Sequence, residues 1–205
     1  MNEVTQLVSK RRPRPDLSHA TMEDLVAEML LRIGEDPTRE GLVRTPHRVA
    51  RAWEFLTKGY HQDIGEIVNG AIFEEKCDEI VMLTDLSVFS QCEHHLLPFF
   101  GTCHIGYIPN GKIIGLSKIP RILDVFSRRL QLQERLTNQV AECLQQILNP
   151  RGVGLIMECQ HMCMAMRGVE KTGSATVTSA MLGCFRDNFS TRSEFLELVK
   201  NRAKP

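Results

Sequence analysis

Apolar positions along the 205-residue chain change their period twice. From Thr21 to Ile33 they recur at helical spacing. Leu25, Met29 and Ile33 fall along one face, and Asp24 sits three residues after Thr21 in a capping-box arrangement. Gly34-Glu35-Asp36-Pro37 ends this helix in a turn. A second helix opens at Thr45-Pro46, a cap followed by proline at the first helical position. It runs to about Lys58, with Gly59 as its stop and Val49, Trp53 and Leu56 as its buried stripe. From Glu79 the period shortens. Glu79 to Phe89 and Thr102 to Pro109 are rich in β-branched and aromatic residues, and Asn110-Gly111 is a type I′ hairpin signal leading into a strand from Lys112 to Leu116. Helical spacing returns from Ser117 to Leu130, carrying Ile122, Val125 and Phe126. It returns again from Glu134 to Leu148, carrying Leu136, Val140, Leu144 and Ile147. Asn149-Pro150-Arg151-Gly152 breaks it. Val153 to Cys163 and Ser174 to Phe185 read as long strands joined near Arg167-Gly168, and Thr191 with Glu194 opens a last helix by a further capping box.

Strands in antiparallel pairs around a pair of helices give an α+β fold, not alternating βαβ units. Three segments follow: a polar arm over residues 1–17 holding Lys10-Arg11-Arg12-Pro13-Arg14-Pro15, a helical segment over 18–60, and one domain over 61–205. Charge adds little, since 25 Lys and Arg balance 25 Asp and Glu. No bulk field draws the chain to nucleic acid or to an anionic membrane, so any anion site is a local cluster. No apolar run reaches the length of a membrane span and the N-terminus lacks a signal-peptide core, which makes the cytoplasm the expected location. Cysteine does change the picture. Seven are spread through the chain, an odd number that favours thiols or metal ligands over a disulfide framework.

Two clusters join cysteine to histidine where predicted strands close. Ser90-Gln91-Cys92-Glu93-His94-His95 packs a thiol, a carboxylate and two imidazoles together. On an unbroken strand Cys92 and His95 would face opposite sides, so they share a metal only if the strand ends here in a turn. Leu96-Leu97-Pro98 is expected to interrupt the ladder. His161-Met162-Cys163 supplies a third donor, and His161, two before Cys163, falls on the same strand face as a proton carrier. Two thiolates and one imidazole leave a fourth tetrahedral position open, as in a catalytic zinc site. A lone Cys/His pair is more often a core histidine beside a buried thiol. Two such clusters, each closing a strand, shift the balance to Zn²⁺. Cys159, four before Cys163, stays open as a fourth ligand that would make the site structural.

Other features are weaker alone. Gly115-Leu116-Ser117-Lys118-Ile119-Pro120-Arg121 places a hydroxyl and two cations at a strand-to-helix junction, where free N–H groups already favour an anion. Arg48 and Arg51 lie one turn apart, either as a solvated pair or as a phosphate grip. Arg167 offers phosphate a planar fork. Glu134 at a helix start is explained by the dipole alone, or as a carboxylate accepting two adjacent N–H groups from guanine.

Taken together, Gly34-Glu35-Asp36-Pro37, Thr45-Pro46-His47-Arg48-Val49-Ala50, Cys92-Glu93-His94-His95, Gly115-Leu116-Ser117-Lys118, Gln131-Leu132-Gln133-Glu134-Arg135-Leu136, His161-Met162-Cys163 and Thr191-Arg192 resemble the GTP cyclohydrolase I family. The resemblance covers about four-fifths of the chain in one order. It implies a tunnelling fold, with subunits joining their sheets into a closed barrel, and a homo-oligomer, a decamer of two pentameric rings. It implies hydrolysis and rearrangement of GTP to 7,8-dihydroneopterin triphosphate plus formate, the first step towards tetrahydrofolate or tetrahydrobiopterin. By resemblance, Cys92, His95 and Cys163 bind Zn²⁺, His94 and His161 move protons, and Ser117 lies near the ribose. Glu134 with Gln133 reads guanine. Lys118, Arg121, Arg167, Arg48 and Arg51 hold the triphosphate. No nicotinamide or flavin fingerprint accompanies these motifs. The alternatives are a zinc-stabilised GTP-binding module without turnover and a deazaguanine nitrile reductase of the same fold. The strands of one chain are too few to close a barrel, so the site is expected to be shared between subunits, with Arg48 and Arg51 serving a neighbour.

Overall fold

The computed structural model describes residues 18–201, and the basic arm read from residues 1–17 lies outside them. The chain divides into a unit that ends at Glu54 and one that begins at Phe55. In the first unit, helix α1 (Met22–Arg32) starts on the expected capping box. The Asp24 N–H donates to Thr21 Oγ1 at 3.2 Å, and the Thr21 N–H donates to the Asp24 carboxylate at 2.8 Å. Its buried row is Val26 and Leu30, whereas the expected Leu25, Met29 and Ile33 are exposed at 39%, 51% and 67%. Both rows are apolar and lie about 100° apart on the helix, so periodicity does not choose between them and packing does. Helix α2 (Thr45–Leu56) takes Thr45 into its first turn instead of using it as the cap. The Arg48 N–H donates to the Arg44 carbonyl at 3.1 Å, and the Thr45 hydroxyl donates to the Gly41 carbonyl at 3.5 Å. Pro46 still falls where a missing N–H costs nothing.

The second unit starts with a 3-10 turn (Lys58–His61) in place of the last helical turn expected. Gly59 is required there, because a Cβ would meet the Val125 carbonyl oxygen at 2.1 Å while its own N–H donates to the Arg128 carbonyl at 3.0 Å. A short helix α3 (Ile64–Val68) leads to strand β1 (Ile72–Glu74). The long strands are β2 (Val81–Cys92), β3 (Pro98–Ile108), β6 (Gly152–His161) and β7 (Thr176–Gly183), while β4 (Lys112–Ile114) and β5 (Leu130–Gln131) are short. The sheet order is β5-β2-β3-β6-β7, antiparallel except for the two-residue parallel pair of β5 with β2. β4 does not fold back on β3 as the Asn110-Gly111 signal suggested, but pairs with β1. A type I′ turn needs positive φ at both residues. Only Gly111 of the pair has it, at 78°.

Register places the chemistry at one end. Gln91 pairs with Pro98 and Phe99 with His161, so the close of β2, the start of β3 and the close of β6 lie side by side. Pro98 does not break the ladder; it is the first residue of β3, a place that proline tolerates. Helices α4 (Lys118–Ser127) and α5 (Gln133–Leu148) cover one face of the sheet. Val88, Phe99, Cys103, Ile105, Tyr107, Leu155 and Met157 form the core there with Ile119, Ile122, Leu123, Leu136, Val140 and Leu144. Each such side chain, fully buried, contributes about 1.5–3 kcal/mol. On the other face a smaller cluster joins Ile108 and Met181 to Phe185 of α7 (Cys184–Asp187) and Phe195 of α8 (Phe189–Lys200). The cap of α8 is Asn188, whose side chain accepts from the Thr191 N–H at 3.1 Å. Thr191 therefore lies inside the helix and is not its cap. The α+β architecture stands, and among the described residues no helix is long and apolar enough to cross a membrane.

Candidate functional site

The end of β2 curls as a shared ligand pair requires. His95 and Leu96 N–H groups donate back to the Cys92 carbonyl at 3.3 and 2.8 Å, the Cys92 N–H donates to the Leu97 carbonyl at 2.9 Å, and Leu96 takes the left-handed conformation at φ 54°. This tight turn brings His95 Nδ1 to 3.8 Å from Cys92 Sγ. The third donor arrives by a different route from the one expected. β6 stops at His161, and Cys163 lies on a helical turn, α6 (Met162–Ala165), not on the strand. That turn brings its sulfur back, so the ligand atoms of Cys92, His95 and Cys163 all lie within 4.8 Å of one another. Tetrahedral zinc, with bonds of about 2.3 Å to sulfur and 2.0–2.1 Å to nitrogen, asks for ligand atoms roughly 3.5–3.8 Å apart. The donor set fits with little movement. Cys159 does not join it; it is 1% exposed within the core, and burial pushes its thiol up to about 12. Burial, and then the neighbouring Cys92, raise the Cys163 thiol above its ordinary value.

Around the three donors stand groups from β3 and α5. His94 is exposed on the turn, its ring edge-on to His95 with centroids 6.1 Å apart. His161 stacks on Phe99 at 4.7 Å with planes 8° apart, and its Nε2 lies 2.7 Å from Gln133 Oε1. Burial lowers its pKa, and the negative charge of Glu134 acts the other way, which puts that exposed carboxylate in the same neighbourhood. Arg167, also exposed, lies within electrostatic reach of Cys163. Gln133, expected beside Glu134 as a base reader, is instead 1% exposed with its amide engaged inside the protein.

Two contacts were invisible in the sequence. Glu93, inside the motif, accepts two N–H bonds from Arg135, from Nη1 at 2.5 Å and Nη2 at 3.1 Å, and its own N–H donates to the Gln131 carbonyl at 3.1 Å. The guanidinium holds the Glu93 carboxyl below the usual carboxylate range. The metal turn is thereby tied to β5 and to the first turn of α5. Phe99 is the other contact. Its position four residues after His95 carried no signal beyond that of an ordinary strand aromatic.

The remaining predicted residues are not all brought to this end. Ser117 and Arg121 are exposed at the start of α4, and the Lys118 ammonium donates to the Ile67 carbonyl at 2.8 Å. α4 runs from there towards β5, which pairs with Gln91 and Cys92. Its ten residues put about 15 Å between Lys118 and the end of α4 that leads to β5. Arg48 and Arg51 are exposed on α2, in the N-terminal unit, with Arg51 Nε 3.7 Å from the Glu54 carboxylate.

A family model described as GTP cyclohydrolase I matches residues 22–200. A curated protein named GTP cyclohydrolase 1 from Leptospira biflexa serovar Patoc is 58% identical over 87% of this chain and 98% of its own. Proteins of the same name from Gloeobacter violaceus and Methylococcus capsulatus are 56% and 54% identical, over 89% and 88% of this chain and 85% and 98% of theirs. A solved structure, the archaeosine synthase QueF-Like in the apo form, is similar over 53% of this chain and 97% of its own, at 20% identity and a TM-score of 0.43.

Proposed function

The chain belongs to the GTP cyclohydrolase I family, and from that premise we propose how its own residues divide the work. The activity is the family's, hydrolytic opening of the imidazole ring of GTP and rearrangement to 7,8-dihydroneopterin triphosphate with release of formate. The observation that carries the assignment of roles is the Cys92, His95 and Cys163 group with His161 and Glu134 beside it. Two thiolates and one imidazole suit zinc, and three protein ligands leave a fourth position for reaction. When bound, zinc supplies a Lewis acid and a hydroxide-strength nucleophile near neutral pH.

The chain's side chains do the rest. Glu134 accepts the two adjacent N–H groups of the guanine edge, which adenine does not offer. His94, exposed on the turn, protonates N7 and so makes C8 a better electrophile, a contribution of roughly 10²–10⁴-fold. His161 carries protons through formate release and through opening and reclosure of the sugar. Arg167 meets the triphosphate from the metal side. Ser117 is assigned to the ribose and Lys118 and Arg121 to the phosphates, with Arg48 and Arg51 adding charge. The length of α4 supports drawing the Ser117 group from a neighbouring chain, in a ring where open sheet edges pair between subunits. Two stacked five-membered rings are the proposed assembly, residues 61–205 the catalytic domain, and the cytoplasm, where ligand thiols stay reduced, the proposed location.

Purified, zinc-loaded protein given GTP is expected to release formate and 7,8-dihydroneopterin triphosphate in equal amounts, the latter read as the fluorescent pterin it gives when an added oxidant such as iodine is used after quenching; neither product appearing would overturn the assignment. Glu134→Gln is expected to weaken GTP binding roughly ten- to a hundredfold, as a hydrogen bond to a charged group contributes about 1.5–3 kcal/mol. Thermal stability should hardly move. Unchanged affinity would leave Glu134 as a helix-dipole residue and nothing more.

A further inference from the structure

Gln133 is among the most buried polar residues, at 1% exposed, and its hydrogen bonds have one consistent direction. Its Nε2 faces the Met157 carbonyl at 3.1 Å, the Thr176 carbonyl at 2.9 Å and Thr178 Oγ1 at 3.0 Å. Carbonyl oxygens accept only, so this end of the amide must be the NH₂. The opposite orientation would press an amide oxygen against two carbonyl oxygens. The hydroxyls agree. Thr137 Oγ1 donates to the Gln133 carbonyl at 2.7 Å, so at the 2.7 Å contact between Thr137 and Thr178 the proton comes from Thr178, whose lone pair then faces Gln133. Gln133 Oε1 is thus an acceptor, and it lies 2.7 Å from His161 Nε2. An imidazole nitrogen opposite an acceptor must carry the hydrogen.

We propose that Gln133 is a positioning residue that fixes the tautomer of His161, with hydrogen on Nε2 and the lone pair on Nδ1. The consequence for turnover rests on the role proposed for His161 above. The Phe99 ring, stacked at 4.7 Å, fixes the plane of the imidazole, and Gln133 fixes which edge is which. The chain of bonds reaches back through Thr178 and Thr137 to the first turn of α5, the turn that also presents Glu134. A side chain so enclosed does not reach a base, and its role differs from that of its neighbour.

The test is solid-state ¹⁵N NMR on zinc-loaded protein labelled at the histidine nitrogens, with His161→Asn identifying the resonances by their loss. Wild-type protein should show a protonated Nε2 and an unprotonated Nδ1 for His161. The reverse pattern would overturn the proposal without any Gln133 variant. Gln133→Met, of similar length but without acceptor or donor, should release the tautomer and lower kcat roughly 10- to 100-fold, the range for partners that orient an imidazole. KM for GTP should change less than about threefold, because no substrate contact is lost. Gln133→Glu, if its carboxyl is protonated so that the hydroxyl donates to the Met157 or Thr176 carbonyl, keeps an accepting oxygen facing Nε2 and should restore the tautomer and part of kcat. A raised KM with kcat intact would return Gln133 to the base and overturn the proposal. Normal turnover by His161→Ala would instead remove the proton-carrier role on which it rests, whatever the tautomer.

Discussion

Cys163→Ser is expected to lose zinc and turnover together while keeping its fold. Serine is nearly the same size, but its hydroxyl does not ionise at neutral pH and is a poor zinc ligand. Two remaining donors, Cys92 and His95, do not make a three-ligand site. A Lewis acid contributes several kcal/mol to such a reaction, and about 4 kcal/mol is a thousandfold, so turnover should fall by roughly 10³ or more. The thermal transition of the metal-free protein should stay near that of metal-free wild type, because Cys163 sits half-buried on the four-residue turn α6, beyond the end of β6. Cys77→Ser and Cys143→Ser, at thiols outside the metal group, should keep both metal and activity. Metal content and initial rate measured on each purified variant decide the matter. Full zinc and normal turnover in the Cys163 variant would break the ligand set.

A second large effect should appear on mixing two inactive proteins. Arg121→Ala disables the phosphate end and Cys92→Ser the metal end, and each alone should be near background. If one site draws these residues from two chains, some sites in a mixed ring combine an intact Arg121 with an intact Cys92. Random mixing makes about a quarter of the sites whole. Differently tagged variants, unfolded together, reassembled and purified through both tags, should therefore recover activity. Arg48→Ala in place of Arg121→Ala asks the same question of α2. Doubly tagged rings as inactive as their parents would mean that each chain completes its own site, and a fully active monomer would end the idea of sharing altogether.

Sequence pattern reached the ligands more easily than their surroundings. Cys92, His95 and Cys163 stand in two short clusters, and softness of donor and spacing are legible locally. The turn after β2 was legible for the same reason, since Cys92 and His95 meet no other way. What joins the clusters was not. Glu93 and Arg135 are 42 residues apart, and His161 and Gln133 are 28 apart. Nothing in either neighbourhood marks the other. Helix existence was recovered for both α4 and α5, whose apolar stripes are long, whereas the buried row of α1 was misassigned because two apolar rows compete. The Thr191 cap failed on a different point. Its motif is formally correct, but Asn188 lies three residues earlier and caps first.

The apolar core is made by the sheet with α4 and α5; of the candidate metal ligands, Cys92 closes β2 within that core, while His95 and Cys163 lie on the turns that follow β2 and β6. If zinc is held there as proposed, most of the core forms without it, so folding and loading with metal are separable: metal-free protein would be folded and inactive, and added zinc would restore turnover without new synthesis.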